Sequence, residues 1–343
     1  MRYFITGHTG FKGSWLTLWL TSEGHEVFGL SLDPEPGSLF ELAEVGELCA
    51  VDQRGDIRDP EVVKAAVKNA KPDVVVHMAA QPLVLDSYKR PRWTMETNVM
   101  GTLNVLEAVG LQEDVKALLI VTTDKVYRNI NQREGYLESD PLGGDDPYSA
   151  SKAMADILTH SWAKSFPGTR TAVARAGNVI GGGDVSPDRL LPDVVAHLRT
   201  GTAPVLRHPQ AVRPWQHVLD CLNGYQTLID KLLDETCDLD LGGGWNFGPE
   251  LESFVSVGEM TTLAMTNWGA NATWISGSGE KVHEAHFLAL DTTRGKTDLG
   301  WSCSLGIEDA LAWTLDWYRN LDAGVSARAT SVQQIEGFRS NLN

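Results

Sequence analysis

The sequence predicts a doubly wound (Rossmann) α/β fold: a parallel sheet with helices on both faces, followed by a smaller C-terminal substrate-binding portion. Three observations carry this expectation. Strand-like and helical segments alternate through the first half of the chain, the strand-like runs are apolar along their whole length, and the first of them opens into a glycine-rich turn. Strands covered on both faces read as continuous apolar runs, and strict alternation with helices makes the sheet parallel. Val74-Val75-Val76 and Leu118-Leu119-Ile120-Val121 are runs of this kind. Ligands of such sheets bind at the carboxyl ends of the strands.

In chain order, β-branched and apolar runs predict strands over residues 3–6, 26–32, 73–78, 116–122 and 171–174, with a further strand just before Gly55. Helices are expected over 13–22, 60–70, 92–109 and 148–165. Past Gly177 the alternation stops, and stretches such as Gly181-Gly182-Gly183-Asp184 and Arg213-Pro214-Trp215 take over. Residues 1–177 are therefore expected to form the dinucleotide-binding part, with roughly 212–245 returning to it. Residues 178–211 and 246–323 would cover the substrate, and 324–343, rich in small residues, would be a weakly packed tail.

With 343 residues the chain is long enough for one large α/β unit and a smaller lobe. Lys and Arg number 29 against 45 Asp and Glu, and the net charge of −16 would repel a phosphodiester backbone. Nucleic acid is not an expected partner. No window approaches the roughly 18 apolar residues of a membrane span. The N-terminus passes from strand directly into glycine loop, leaving no room for a secretory leader, so a cytoplasmic location is expected. Cys49, Cys221, Cys237 and Cys303 lie far apart, without metal or redox spacing, and are expected to be reduced thiols.

The first strand ends in Gly7-His8-Thr9-Gly10-Phe11-Lys12-Gly13. Glycines here permit a tight turn and let backbone N–H groups reach a pyrophosphate held at the positive end of the next helix. Its position after a strand and before a helix separates it from an ordinary glycine-rich turn. About 20 residues on, Ser31-Leu32-Asp33 closes the second strand. A carboxylate there, Asp33, would bond the adenosine ribose and repel a 2′-phosphate, favouring NAD over NADP. Asp33 could equally be a turn residue before Pro34. Asp56, in Gly55-Asp56-Ile57-Arg58-Asp59, could meet the adenine amino group or simply cap a turn.

Tyr148 and Lys152 stand at i and i+4 and so share a helix face. The ammonium, together with a positive nicotinamide, would lower the phenol pKa toward neutrality, making a base for a sugar hydroxyl. Thr123, at the carboxyl end of the 116–122 strand, completes the set, and Asp124-Lys125 follows at once. Such a pair can also be a mere strand-end ion pair.

The segments GHTGFKG, DIRD, HMAAQPLV, TNVMGT, TTDKVY, DPYSASK, RAGNVIGGGD and RPWQHV resemble the extended short-chain dehydrogenase/reductase family and, within it, the nucleotide-sugar 4,6-dehydratases acting on CDP-D-glucose. The resemblance implies NAD contacts from Gly7, Thr9, Gly10, Phe11, Gly13, Asp33, Asp56, Ile57, Ala79, Ala80, Gln81, Asn98, Thr122, Tyr148 and Lys152. It implies oxidation at carbon 4 of the hexose, loss of the carbon 5 proton and carbon 6 hydroxyl, and hydride return to carbon 6. Thr123, Asp124, Lys125, Tyr148 and Lys152 would be catalytic, with Asp124 the acid for the departing hydroxyl. Lys125 would act either as the carbon 5 base, if neutral, or as the cation beside an enolate.

Asn178, Arg189 and Arg213 match positions that hold the substrate diphosphate in that family, a task suited to a bidentate donor. His217, His283 and His286 would contact the sugar nucleotide or hydrogen-bond structurally, and no metal site is expected. CDP as the nucleotide comes from the resemblance alone. Helices 92–109 and 148–165 correspond to those that pair two subunits, implying a homodimer. Two other functions stay open: a sugar-nucleotide epimerase or decarboxylase, which would not need Asp124-Lys125, and a non-catalytic NAD-binding protein.

Overall fold

The computed structural model describes residues 1–132, 134–166, 168–250, 253–270, 273–277 and 288–342. Strands β1 (Arg2–Thr6), β2 (Glu26–Ser31) and β3 (Val51–Arg54) come first, linked by helices α1 (Phe11–Ser22) and α2 (Leu39–Leu42). Next are α3 (Pro60–Ala70), β4 (Val74–His77), α4 (Val84–Lys89) and α5 (Pro91–Met95). A π-type turn at Glu96–Met100 leads into α6 (Gly101–Gly110) and β5 (Ala117–Val121). Then α7 (Pro147–Ser165) and β6 (Arg170–Ala176) complete the regular part.

Past β6 come β7 (Asn178–Ile180), α8 (Leu190–Thr200), β8 (Val205–Leu206), β9 (Val212–His217), α9 (Val218–Leu233) and β10 (Gly244–Phe247). The final stretch holds β11 (Phe254–Ser256), α10 (Val257–Trp268), β12 (Ile275–Ser276), α11 (Ile307–Asp322) and α12 (Ala327–Leu342).

Seven strands pair in parallel in the order β10-β6-β5-β4-β1-β2-β3. The order reverses direction between β1 and β4, so a crevice opens beyond their carboxyl ends, where α/β sheets bind ligands. The two-residue pleat explains the continuous apolar runs. Ile5, Val74, Val76 and Leu119 enter the core shared with α1 and α9, while Phe4, Val75, Leu118 and Ile120 enter the one shared with α3 and α6.

A three-stranded sheet, β11-β9-β7, and the pair β12-β8 form the smaller portion. Within the 212–245 stretch, β9 belongs to this small sheet, whereas α9 packs on β5 and β6 and β10 extends the large sheet.

The weakly packed tail expected from Gly324 onward is instead helix α12, which packs on α1 and α11. Ile335 and Phe338, three residues apart and both fully buried, give it an apolar stripe. Phe338 meets Trp19 edge-on at 5.8 Å. Trp317 Nε1 donates to Ser331 Oγ at 2.8 Å, and Arg328 donates to the Ala43 carbonyl at 2.7 Å.

Candidate active site

A deep cleft runs over the crevice between β1 and β4 and out under the small sheet. One wall is the glycine loop. Gly7 has φ +82°, a conformation in which a side chain would be strained, and an added Cβ would lie 2.6 Å from the Ala79 nitrogen. A Cβ on Gly13 would come within 2.1 Å of the Gly7 carbonyl oxygen. The loop can therefore be this tight only with glycines. Gly10 caps α1 with no side-chain hydrogen bond, and the first turn holds no acidic residue. Its free N–H groups and positive end suit a diphosphate, so this cradle fits a dinucleotide. Thr9, Phe11, Asp56, Ile57, Ala79, Ala80 and Thr122 line the cleft as well.

The structure moves three of the expected cofactor contacts away. Strand β2 ends at Ser31, and Ser31 and Leu32 line the cleft. Asp33 lies beyond the strand tip; its side chain is 91% exposed and faces Arg54 at 3.4 Å. Its carboxylate is thus not among the groups that line the cleft, although its neighbour Leu32 is. Gln81 and Asn98 are buried and serve each other: the Gln81 N–H donates to Asn98 Oδ1 at 2.8 Å, and Asn98 Nδ2 donates to Ser151 Oγ at 2.8 Å. They tie the loop after β4 to α7, one residue from Lys152, and so support the site from behind.

Sequence dictates how α7 presents its residues. Pro147 fits the first helical position, and Asp146 caps it by accepting from the Ser149 N–H at 2.9 Å. Tyr148 and Lys152 then rise on successive turns into the cleft. The Tyr148 N–H donates to Ser87 Oγ at 3.2 Å, and Lys152 Nζ donates to the Val121 carbonyl at 2.8 Å. Burial pushes the Lys152 ammonium down to about 7, with nearby Lys12 adding to the effect and Asp156 opposing it. The Tyr148 phenol is raised by burial, against the downward pull of Thr123 and Arg189. Desolvation outweighs these pulls, so the phenol lies above its ordinary value rather than near neutrality.

After β5 the chain turns sharply. Thr123 caps the short turn Asp124–Val126, and its hydroxyl donates to Asp124 Oδ1 at 2.9 Å. Asp124 is 2% exposed, and its Oδ2 is buried without a hydrogen-bond partner. Burial raises its pKa, opposed by Lys125, the Thr123 hydroxyl and Arg213. Burial thus favours the neutral carboxyl over the carboxylate and one of its oxygens has no partner, an arrangement that suits a proton donor. Lys125 is half-buried at the cleft wall beside it.

Asn178, Arg189 and Arg213 reach the same cleft from the far side. His217 does not: it is fully buried, its Nδ1 accepts from the Leu219 N–H at 3.3 Å to cap α9, and its ring stacks edge-on against Trp15 and Trp313. The histidine expected at the substrate is thus a capping residue in an aromatic core. His283 and His286 lie outside the described residues. No group of three metal-ligating side chains occurs among the described residues, and the four cysteines are free thiols.

Sequence reasoning missed one supporting pair. Asp156, one turn after Lys152, is bound bidentately by Arg175 at 2.8 Å in a fully buried ion pair and accepts from Thr122 Oγ1 at 3.2 Å. Its i+4 spacing from Lys152 was visible, but its partner, on β6, is 19 residues away. No helix of the described residues is long and apolar enough to cross a membrane.

A family profile described as the NAD dependent epimerase/dehydratase family matches residues 3–238. The chain is 40% identical to a CDP-glucose 4,6-dehydratase of Salmonella typhimurium over 348 aligned positions, covering 99% of this chain and 96% of the relative. Among solved structures, a dTDP-glucose 4,6-dehydratase from Streptomyces venezuelae, with NAD bound, superposes with a TM-score of 0.79 at 25% identity, covering 96% of this chain and 100% of that one. A UDP-glucose 4-epimerase from Thermotoga maritima shares the fold, with a TM-score of 0.81 at 20% identity, over 94% and 99% of the two chains.

Proposed function

This chain belongs to the NAD dependent epimerase/dehydratase family, and from that premise we propose that it dehydrates CDP-D-glucose to CDP-4-keto-6-deoxy-D-glucose. The observation that carries the dehydratase reading over an epimerase is Asp124, a buried carboxyl with a raised pKa and one unpartnered oxygen beside Lys125. An epimerase needs no acid for a departing hydroxyl. A non-catalytic NAD-binding protein needs neither this pair nor the Tyr148–Lys152 couple. The identity to a CDP-glucose enzyme along 99% of the chain supports CDP as the nucleotide.

Bound NAD supplies the hydride acceptor for carbon 4 and the hydride returned to carbon 6. Tyr148 takes the carbon 4 hydroxyl proton, with Lys152 and Thr123 holding the phenol. Asp124 gives its proton to the departing carbon 6 hydroxyl. Lys125 takes the carbon 5 proton or steadies the enolate that follows. Arg189, Arg213 and Asn178 hold the substrate diphosphate, leaving the glycine loop, Thr9, Phe11, Asp56, Ile57, Ala79, Ala80 and Thr122 for the dinucleotide. Exposed Met154 and Ile157, three residues apart on α7, and exposed Met100 on the π-type turn that packs against α7, support a homodimer; a single-chain mass in solution would contradict it.

The test is a panel of CDP-, dTDP-, UDP- and GDP-glucose in deuterated water, with products read by nuclear magnetic resonance. CDP-glucose is expected to yield a 4-keto-6-deoxy sugar carrying solvent deuterium at carbon 5, without NADH accumulating. A 4-epimer or unchanged substrate would remove the dehydratase reading. In Lys125→Met, loss of both carbon 5 exchange and dehydration with oxidation retained makes Lys125 the base; labelled product formed at near the wild-type rate leaves it only the enolate role.

A further inference from the structure

Lys12 occupies the position before the third glycine of the loop, in the first turn of α1, and its half-buried side chain lines the cleft. Its ammonium donates to the Tyr225 hydroxyl on α9 at 2.9 Å and lies 5.3 Å from the centre of that ring. No carboxylate lies within ion-pair distance of it among the described residues. Burial lowers its pKa; the buried Cys221 thiol and Asp124, which burial drives toward its neutral form, oppose this, Arg189 adds to it, and Lys12 in turn lowers Lys152. The positive end of α1 adds to the same field, with no acidic side chain in its first turn. A desolvated ammonium held by one neutral hydroxyl is costly unless an anion joins it.

We infer that the Lys12 side chain is a direct ligand of the diphosphate of the bound dinucleotide, with Tyr225 holding the ammonium in place. The backbone N–H groups of the loop supply dipoles to that diphosphate, and Lys12 supplies a full charge. The inference rests on the dinucleotide reading of the cleft. It concerns binding, not chemistry, so its signature is affinity.

Titration calorimetry on the full chain with NAD, ADP-ribose, adenosine and CDP separates the possibilities. Lys12→Met is expected to weaken NAD and ADP-ribose by about tenfold or more, the scale of a hydrogen bond to a charged group. Adenosine, which lacks the diphosphate, and CDP, a probe of the substrate side, are expected to bind unchanged. Lys12→Arg should restore most of the NAD affinity. The ligand-free Met variant should melt no lower than wild type, since it removes an amine whose burial disfavours its charged form. Lys12→Gln, which keeps a polar partner for Tyr225, provides a second comparison. Unchanged NAD affinity in both variants overturns the inference, as does a parallel loss of adenosine and NAD, the mark of a collapsed loop. Weakened CDP would place the ammonium on the substrate instead. A wild-type protein that binds neither NAD nor ADP-ribose would fail the cofactor reading itself.

Discussion

Tyr148→Phe is expected to lower the rate of carbon 4 oxidation by about 10²–10⁴-fold, the contribution of a positioned proton acceptor, while leaving the fold and NAD binding intact. The ring is 8% exposed, so the phenylalanine ring keeps the packing. The helix start depends on Pro147, Asp146 and the backbone bond to Ser87, none of which needs the hydroxyl. What is lost is the oxygen beside Thr123 and one helical turn from Lys152. Formation of the 4-keto sugar in a single turnover is the readout. A loss below tenfold would take Tyr148 out of the chemistry.

Asp124→Asn tests the second half of the reaction. Oxidation should survive within a few-fold, whereas water loss should slow by about 10²-fold or more, so that a 4-keto hexose still carrying its carbon 6 hydroxyl accumulates. Because burial raises the carboxyl pKa, the protonated form persists above the usual carboxylate range. The water-loss step should therefore weaken as pH rises through that raised pKa in the wild type, and the amide variant should lose this dependence. Equal, mild effects on both steps would dismiss Asp124 as the acid.

Much of the frame was legible in the chain because each part depends on local pattern. The fully apolar runs are strands buried on both faces, and helix 60–70 has the expected limits because Asp59 and Pro60 cap it. Helix α1 spans the glycine loop's end, and the expected helix 92–109 runs with helical backbone from Pro91 to Gly110, widened into one π-type turn at Glu96–Met100 that no residue type announces. The reading of side chains was less secure where one or two residues of strand length decide direction. Asp33 passes the tip because β2 stops at Ser31. Gln81 and Asn98 face each other because the loop folds back on α7, and His217 is drawn into a core of tryptophans distant in sequence. Small residues hid helix α12, whose apolar stripe is carried by Ile335 and Phe338 alone among its large side chains in the core.

The claim that a single active site oxidises, dehydrates and reduces the same hexose is tested most directly with CDP-D-glucose deuterated at carbon 4. Magnetic resonance of the product should show that deuterium on carbon 6, with no added NAD consumed beyond that bound to the protein. Deuterium absent from carbon 6, or recovered still on carbon 4, would contradict it.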